Sequence, residues 1–305
     1  GKTTSTDIMN SIYQSRNNKL DESFNLQETR NYGLSILFNE SNFAYCILDF
    51  KRNKYLGVLH LLRNEVKPQH ALPMVKPPFD EFLKGVIHAM PWLKNPYKSI
   101  KVAYEGRKCT LIPAQLFDSA EKENYLKLSF PKQEEEQTFS DHLMPLDSHQ
   151  VFSIPVSMLN AVRGQYPNIK IVHFSSVLIE SIWINYKNRI NSNRVFIHIR
   201  EKLFDLMIFD GRQMSYFNTF PFQNSEDVVY YLIFVLEQLN LNPEHIPLVL
   251  LGNVEKGSGL FELLAKYVRH VEFGRRNESF KYSYILNQLS PQAYYPLLNF
   301  FSCGL

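Results

Sequence analysis

A β-β-β-α-β pattern occurs twice in this chain, about 160 residues apart, and it constrains the fold more than any other feature of the sequence. In the first copy, apolar runs at residues 32–38, 43–49 and 55–62 are separated by short polar turns, which predicts antiparallel neighbouring strands. A helix is predicted over residues 79–93, where apolar side chains recur on one face, and a strand over 99–104.

The second copy repeats this order. Three strands are predicted over 194–200, 203–210 and 215–222, then a helix over 225–239 capped by Ser225, and a strand over 246–251. A right-handed crossover places the fourth strand of each copy parallel to the first. The two copies therefore predict an α/β protein with two mixed sheets and flanking helices, whereas a chance recurrence of short meanders is the alternative.

The segments outside the two copies have less regular patterns. They predict helices over 113–126, 155–165, 175–190 and 260–268, and strands over 126–130, 151–154, 169–174 and 270–273, with an acidic loop at 133–137. Ser175 or Ser176 is expected to cap the helix at 175–190. The apolar tail at 294–301 is expected to close a core, with a partner surface as the alternative.

This element order, with a helix-strand-helix lead-in at residues 156–182, resembles the actin-like ATPase fold. It is similar to the actin-like assembly proteins of type IV pili and type II secretion. The chain is identified as a member of an uncharacterised bacterial family, a domain of unknown function, with this fold. The resemblance covers about residues 30–305 and implies two ribonuclease-H-like halves around a nucleotide cleft. It divides the chain into a polar N-terminal arm or edge (1–29), a first half (30–150) and a second half (151–305).

The expected phosphate-binding turns differ from those of active members of this superfamily. Such members carry an Asp-x-Gly motif between the first two strands of the first half, where this chain has Phe-Asn-Glu-Ser-Asn at 38–42. The matching turn of the second half, Ile-Arg-Glu-Lys-Leu at 199–203, also lacks the Asp and the Gly. Glu40 would repel a phosphate. Arg200 or Lys202 could attract an anion, and a charged hairpin turn in water is the alternative.

The adenosine-binding loop of the superfamily is a Gly-Gly turn that follows a strand and leads into a helix. Residues 250–259 (Leu-Leu-Gly-Asn-Val-Glu-Lys-Gly-Ser-Gly) match it best. The resemblance implies that the cofactor-binding residues are Gly252, Asn253, Gly257, Ser258, Gly259 and Arg200. The loop is not a P-loop, which needs Lys directly after its second Gly, because Lys256 precedes Gly257. A structural turn capped by Ser258, or a weak anion contact at the helix start, are the alternatives.

Composition argues against several other classes of protein. The chain has 33 Lys and Arg against 30 Asp and Glu, and this net charge of +3 is too small to indicate a nucleic-acid partner. Two basic spots, one at Arg275 and Arg276 and one at Lys187, Arg189 and Arg194, are predicted to be solvated. No apolar run approaches the roughly 18 residues of a membrane span, and the N-terminus has no apolar signal core, so a soluble cytoplasmic protein is expected.

Cysteine and histidine spacing gives no metal or redox site. The three cysteines form no Cys-x-x-Cys motif, and Cys46, which lies in an apolar strand pattern, is expected to be a buried, unreactive thiol. Asp141-His142 and Asp147-x-His149 could meet around a metal ion, but no helix or hairpin is predicted to hold them together.

Two hypotheses about function follow. The first is a degenerate actin-like protein that acts as a cytoplasmic scaffold or interaction protein with an unknown protein partner. It has no efficient ATP hydrolysis and no assigned catalytic or metal-binding residue, and ATP with magnesium is not its expected cofactor. The alternative is a nucleotide-dependent ATPase or kinase-like enzyme that uses the loop at 252–259. A groove filled by Phe and Tyr would favour the scaffold, because a nucleotide needs about 300 Å³ or more.

Overall fold

The computed structural model describes residues 12–65, 76–132, 135–189 and 192–305. Its strands are β1 (Tyr13–Leu20), β2 (Tyr32–Phe38), β3 (Asn42–Asp49), β4 (Lys54–Arg63), β5 (Ser99–Tyr104), β6 (Cys109–Pro113), β7 (Glu136–Leu143), β8 (Ser148–Pro155), β9 (Ile171–His173), β10 (Asn193–Ile199), β11 (Leu203–Asp210), β12 (Gln213–Pro221), β13 (Pro247–Gly252), β14 (His270–Phe273) and β15 (Lys281–Tyr282). Its α-helices are α1 (Phe79–Ala89), α2 (Lys122–Lys127), α3 (Val156–Gln165), α4 (Phe174–Tyr186), α5 (Ser225–Gln238), α6 (Gly259–Tyr267) and α7 (Tyr295–Asn299). Short 3₁₀ helices lie at Leu26–Asn31, Pro91–Lys94, Ala114–Leu116, Ser119–Glu121, Met144–Leu146, Tyr284–Gln288 and Phe300–Ser302.

The first sheet has the strand order β1-β4-β3-β2-β5-β9, and β15 also pairs with β4. β2, β3 and β4 are antiparallel neighbours, and β5 lies parallel to β2. These strands are apolar along most of their length because both faces are covered, one by α1 and α3 and the other by the C-terminal tail. Within the segment predicted as a polar arm or edge, β1 forms an edge strand on β4. Residues 1–11 lie outside the described residues.

The second sheet has the order β12-β11-β10-β13-β14, which repeats the order β4-β3-β2-β5-β9 of the first sheet. In both sheets the first three strands are antiparallel, and the next two run parallel to the central strand. α1 leads from β4 to β5, and α5 leads from β12 to β13. The predicted fold class and the predicted duplication are therefore confirmed. α1 is shorter than the predicted helix at 79–93 because Pro91 follows its end and starts a 3₁₀ turn.

A small antiparallel sheet, β6-β8-β7, was not predicted as a sheet, although the strand at 151–154 lies within β8. The predicted helix at 113–126 is mostly wrong, because Pro113 ends β6 and only α2 is α-helical. The predicted strand at 126–130 is also wrong, since these residues end α2 and form a turn. β7 starts inside the predicted acidic loop, of which residues 133 and 134 lie outside the described part of the chain. Only two of its side chains are buried, so β7 has no apolar run that could reveal it.

Two predicted helix caps are wrong. α4 begins at Phe174 and is capped by His173, whose side chain accepts a hydrogen bond from the Ser175 N–H. α5 is capped by Asn224, which accepts from the Asp227 N–H, so Ser225 is its first helical residue. Histidine is not among the usual N-cap residues, which explains why His173 was missed. Residue 190, the predicted end of α4, lies outside the described residues.

The C-terminal tail packs on the first sheet, which confirms that it closes a core. Tyr295 and Leu297 in α7 are 1 % exposed. β15 lies parallel to β4 on the same sheet. β9 also joins the first sheet, which therefore extends past the predicted division at residue 150. The assignment of residues to two halves stays a prediction.

Candidate functional site

A cleft of about 490 Å³ lies between the two sheets, at the turns that follow their central strands. The turn after β2 contributes Asn39, the turn after β10 contributes Arg200 and Glu201, and the loop after β13 contributes Asn253. The tail closes one side with Tyr294. The cleft is open, and polar and apolar side chains both line it. It is not filled by Phe and Tyr, so its shape does not give the support for a scaffold that a filled groove would have given.

The turn after β2 is closed by hydrogen bonds to the side chain of Asn39. The Asn39 N–H donates to the Asn42 carbonyl at 3.0 Å. The Asn39 Oδ1 accepts from the backbone N–H groups of Ser41 and Asn42, both at 2.8 Å. In a phosphate-binding turn, such backbone N–H groups point at the ligand. Here the Asn39 amide oxygen occupies them.

The turn after β10 holds its arginine in a buried charge network. Arg200 donates to the Asp205 carboxylate at 2.8 Å, lies 3.7 Å from Glu105, and stacks 4.4 Å from the centre of the Phe174 ring. Asp205 is fully buried and also contacts His198 at 3.0 Å. Burial alone would raise the pKa of Asp205, but Arg200 and His198 lower it below its usual value. Arg200 therefore lines the cleft with its charge already compensated.

This network joins the two duplicated units. Glu105 directly follows β5 of the first sheet, whereas Arg200 and Asp205 flank the β10–β11 turn of the second. Burial raises the pKa of Glu105, and the nearby Arg200 opposes this rise. The Arg200–Glu105 ion pair therefore connects the second sheet to the first.

The predicted adenosine loop reaches the cleft only at its start. Gly252 and Asn253 line the cleft, whereas Gly257, Ser258 and Gly259 lie outside its lining at the start of α6. The N–H groups of Gly252 and Asn253 donate to the carbonyls of Gln292 and Ile199, both at 2.9 Å. Ser258 caps α6, as predicted, by accepting from the Phe261 N–H. A role of these residues and of Arg200 in cofactor binding stays a prediction.

Gly252 has a structural requirement for glycine. Its φ is +87°, and a Cβ atom would lie 2.3 Å from the Ile199 carbonyl oxygen. Ile199 and Gly252 are register partners in the parallel pair β10–β13. The absence of a side chain therefore allows the close approach of two strands.

Sequence reasoning missed a polar network on the first-sheet side of the cleft. His60 contacts Asn42 at 2.6 Å through Nε2 and the Tyr294 hydroxyl at 2.8 Å through Nδ1. Asn17 donates to the same hydroxyl. Burial lowers the pKa of His60 to about 4, so the ring is neutral at pH 7. These residues come from β1, β3, β4 and the tail, and no local spacing in the sequence could reveal them.

The cleft lacks free phosphate-binding turns among the described residues. Glu105, Glu201 and Glu255 line it, and carboxylates repel phosphate oxygens. The Arg200 cation is already paired, and the Asn39 turn has its N–H groups occupied. Arg16 also lines the cleft, and carboxylates can hold magnesium, so it is the two turns, and not the overall charge of the cleft, that argue against the triphosphate with magnesium that the actin-like resemblance implies.

His142 and His149, which the sequence suggested as metal ligands, do contact each other, but Asp141 contacts other residues. β7 and β8 form a hairpin that places His142 opposite His149, with ring centroids 4.4 Å apart, contrary to prediction. Asp141 is buried instead and accepts from the His173 N–H at 2.8 Å and the Ser176 hydroxyl at 2.6 Å. Across the described ranges, no group of three His, Cys, Asp or Glu side chains could hold a metal ion.

Asp141 is expected to make stability depend on pH. Burial raises its pKa from 3.8 to about 6, although its two hydrogen bonds oppose this rise. Its contribution to stability is therefore complete below the unfolded pKa near 4 and is lost as the pH rises through about 6. Asp141→Asn keeps an acceptor oxygen and does not titrate.

Urea denaturation of wild type and Asp141→Asn measures this effect. Between about pH 4 and pH 6, the wild type is expected to lose about 1–3 kcal/mol of unfolding free energy relative to Asp141→Asn. Above about pH 6, the difference between the two unfolding free energies should be constant. A difference that does not change between acid and neutral pH would contradict the role given to Asp141.

The cysteine prediction is confirmed, and one basic spot is not fully solvated. Cys46 is buried, and burial raises the pKa of its thiol to about 12.

Arg276 is half-buried and donates to the carbonyls of Leu286 and Leu289, so it anchors the tail instead of facing water alone. Lys187 lies 4.6 Å from the centre of the Trp183 ring.

No helix in the described part of the chain combines the length and the apolar character that a membrane span needs.

The duplicated strand order and the cleft between the two sheets define an actin-like ATPase fold. A protein with this fold and unknown function from Bacteroides thetaiotaomicron VPI-5482 matches with a TM-score of 0.73 and 22 % identity, over 92 % of this chain and 99 % of that chain. A chain of the PilM-PilN type IV pilus biogenesis complex matches with a TM-score of 0.60 and 14 % identity, over 90 % of this chain and 98 % of that chain. A search of curated proteins found no match.

Residues 21–271 match the family described as "Protein of unknown function (DUF3822)". The chain belongs to this family. Both parts of the predicted recognition, the family of unknown function and the actin-like fold, are confirmed.

Proposed function

We propose that this chain is an actin-like scaffold or interaction protein of the cytoplasm that does not hydrolyse ATP efficiently. The observation that carries the proposal is the turn after β2, where Asn39 Oδ1 accepts from the Ser41 and Asn42 N–H groups at 2.8 Å. A phosphate would have to displace this side chain before it could reach the backbone.

The pairing of Arg200 supports the same proposal. The charge of Arg200, in the turn after β10, is compensated by Asp205 and Glu105, so a bound triphosphate would gain little binding energy from it. A bound triphosphate would also face the carboxylates of Glu201 and Glu255. The turn after β10 therefore uses its arginine to connect the second sheet to Glu105 of the first.

The likeness to the PilM-PilN complex supports a protein partner. That neighbour has the same fold and is described as part of a complex for type IV pilus biogenesis. By analogy, we infer that this chain also acts by binding another protein, whose identity the fold does not specify.

Phosphate release from ATP with magnesium tests the proposal. Ala293 lines the cleft, and the indole of Ala293→Trp would obstruct part of it without changing a charged group. We expect wild type and Ala293→Trp to release phosphate at the same background rate. Turnover by the wild type that is abolished in Ala293→Trp would refute a non-hydrolysing scaffold.

The size of the cleft favours a second candidate, a nucleotide-dependent ATPase or kinase-like enzyme. At about 490 Å³ the cleft exceeds the roughly 300 Å³ that a small ligand needs, and Gly252 and Asn253 lie on its wall. This candidate predicts that adenosine alone, which carries no phosphate, raises the thermal unfolding temperature of wild type but not of Ala293→Trp. An equal temperature with and without adenosine would remove it.

A further inference from the structure

The two sides of the cleft carry uncompensated charges of opposite sign. Arg16 of β1 lines the first-sheet side, whereas Glu201, in the turn after β10, and Glu255, in the loop after β13, line the second-sheet side. Among the described residues, none of these three forms an ion pair. Glu255 accepts a hydrogen bond from the uncharged Ser290 hydroxyl. These charges therefore differ from that of Arg200, which buried carboxylates already compensate.

Arg16 lies beside neutral hydrogen-bonding groups. Burial, and to a smaller extent the nearby Arg16 cation, lower the pKa of His60 to about 4, so this ring adds no charge at pH 7. Asn17 and Asn42 line the same side of the cleft. The first-sheet side thus presents one cation among neutral polar side chains.

Tyr294, on the same side, has a backbone conformation that is unusual for a large side chain. Its φ is +56° and its ψ is +34°, in the left-handed region, where bulky residues are outliers. The other described non-glycine residues with positive φ are all asparagine or aspartate. The Tyr294 hydroxyl is held by His60 and Asn17. Strained residues of this kind cluster at ligand-binding sites, so the conformation favours a ligand at this wall.

We propose that the cleft binds a small zwitterion, with its carboxylate at Arg16 and its ammonium group at Glu201 and Glu255. A ligand with two anionic ends would be repelled by the glutamates, and one with two cationic ends by the arginine. A free amino acid or a short peptide with free termini carries both charges and is small enough for about 490 Å³. This inference goes beyond the scaffold role, because it assigns a class of ligand to the cleft.

Titration of trialanine, whose only charges are its two termini, tests the proposal. Binding is measured from the rise of the thermal unfolding temperature with peptide concentration. We expect trialanine to bind the wild type, and N-acetylation or C-amidation to weaken binding about fivefold each, because each removes one charge. Glycine is the second probe, and its affinity relative to trialanine distinguishes a free amino acid from a peptide as the preferred form of the zwitterion.

Two variants locate the charges that the ligand contacts. C-amidation should no longer weaken binding to Arg16→Gln, and N-acetylation should no longer weaken binding to the double variant Glu201→Gln with Glu255→Gln. Arg30→Gln is the matched control, because Arg30 is exposed and lies outside the lining of the cleft. This control should respond to all peptides as the wild type does.

Three outcomes would overturn the proposal. These are no binding of trialanine or glycine to the wild type, equal affinities for free and blocked peptides, and the same loss of binding in Arg30→Gln as in Arg16→Gln. The comparison of free and blocked peptides needs only the wild-type protein, so it remains decisive if a variant fails to fold. ATP with magnesium is assayed separately, so a failure of the scaffold proposal is distinguishable from a failure of this one.

Discussion

Replacing Arg200 with leucine is expected to lower the free energy of unfolding by about 3–5 kcal/mol. The substitution leaves Asp205, which is fully buried, without the guanidinium that lies 2.8 Å away. Removing one partner of a buried ion pair costs far more than removing one partner of a surface pair. It also breaks the 3.7 Å contact to Glu105, which connects the first sheet to the second.

Urea denaturation of Arg200→Leu and Arg52→Leu provides the comparison. Arg52 also pairs with an aspartate, Asp49 at 3.3 Å, but its side chain is 64 % exposed. Its replacement is expected to cost less than about 1 kcal/mol. Equal losses in the two variants would contradict the structural role given to Arg200.

The loss caused by Arg200→Leu is also expected to depend on pH. Burial raises the pKa of Asp205, but the contact with Arg200 lowers it to about 2, below the usual 3.8. The ion pair therefore contributes stability that is fully present above about pH 4 and is lost as the pH falls toward 2. The deficit of the variant should accordingly be largest at neutral pH and shrink in acid.

Gly252→Ala is expected to cost about 3–5 kcal/mol, while Gly257→Ala costs about 1–2 kcal/mol. Both glycines have nearly the same positive φ, +87° and +86°. They differ in what an added Cβ atom would meet: the Ile199 carbonyl at 2.3 Å from Gly252, and nothing within 4 Å of Gly257. The comparison therefore separates the cost of the backbone conformation from the cost of forcing β10 and β13 apart.

Chemical denaturation of both variants measures these costs, with circular dichroism to confirm that each variant folds. Gly252→Ala should lose clearly more stability than Gly257→Ala. Similar losses would mean that Gly252 is not needed for strand packing, and a ligand-binding reason for this glycine would regain support.

The repeated strands could be predicted from sequence because the sheets are covered on both faces. Strands such as β2 and β11 are continuous apolar runs, and tight polar turns between them show which strands are neighbours. The small sheet escaped prediction because β7 is mostly half-buried or exposed and carries few apolar side chains. The caps at His173 and Asn224 depended on backbone hydrogen bonds that residue type alone did not identify.

The cleft could be predicted only where it is built from turns at strand ends. Gly252 ends an apolar strand, and Arg200 and Asn253 directly follow one, so these three residues named from the fold resemblance line the cleft. Asn17, His60 and Tyr294 come from distant elements, and their contact depends on how the tail packs on β4. The sequence showed that glycine is absent from the turn after β2, but not that Asn39 occupies the N–H groups there.

Calorimetric titration of ATP with magnesium into the wild-type protein, with Ala293→Trp as the control with an obstructed cleft, tests most directly whether two actin-like units have kept their shape without a triphosphate site. We predict no binding heat beyond dilution, and no difference between the two proteins. Micromolar binding to the wild type that disappears in Ala293→Trp would contradict this account.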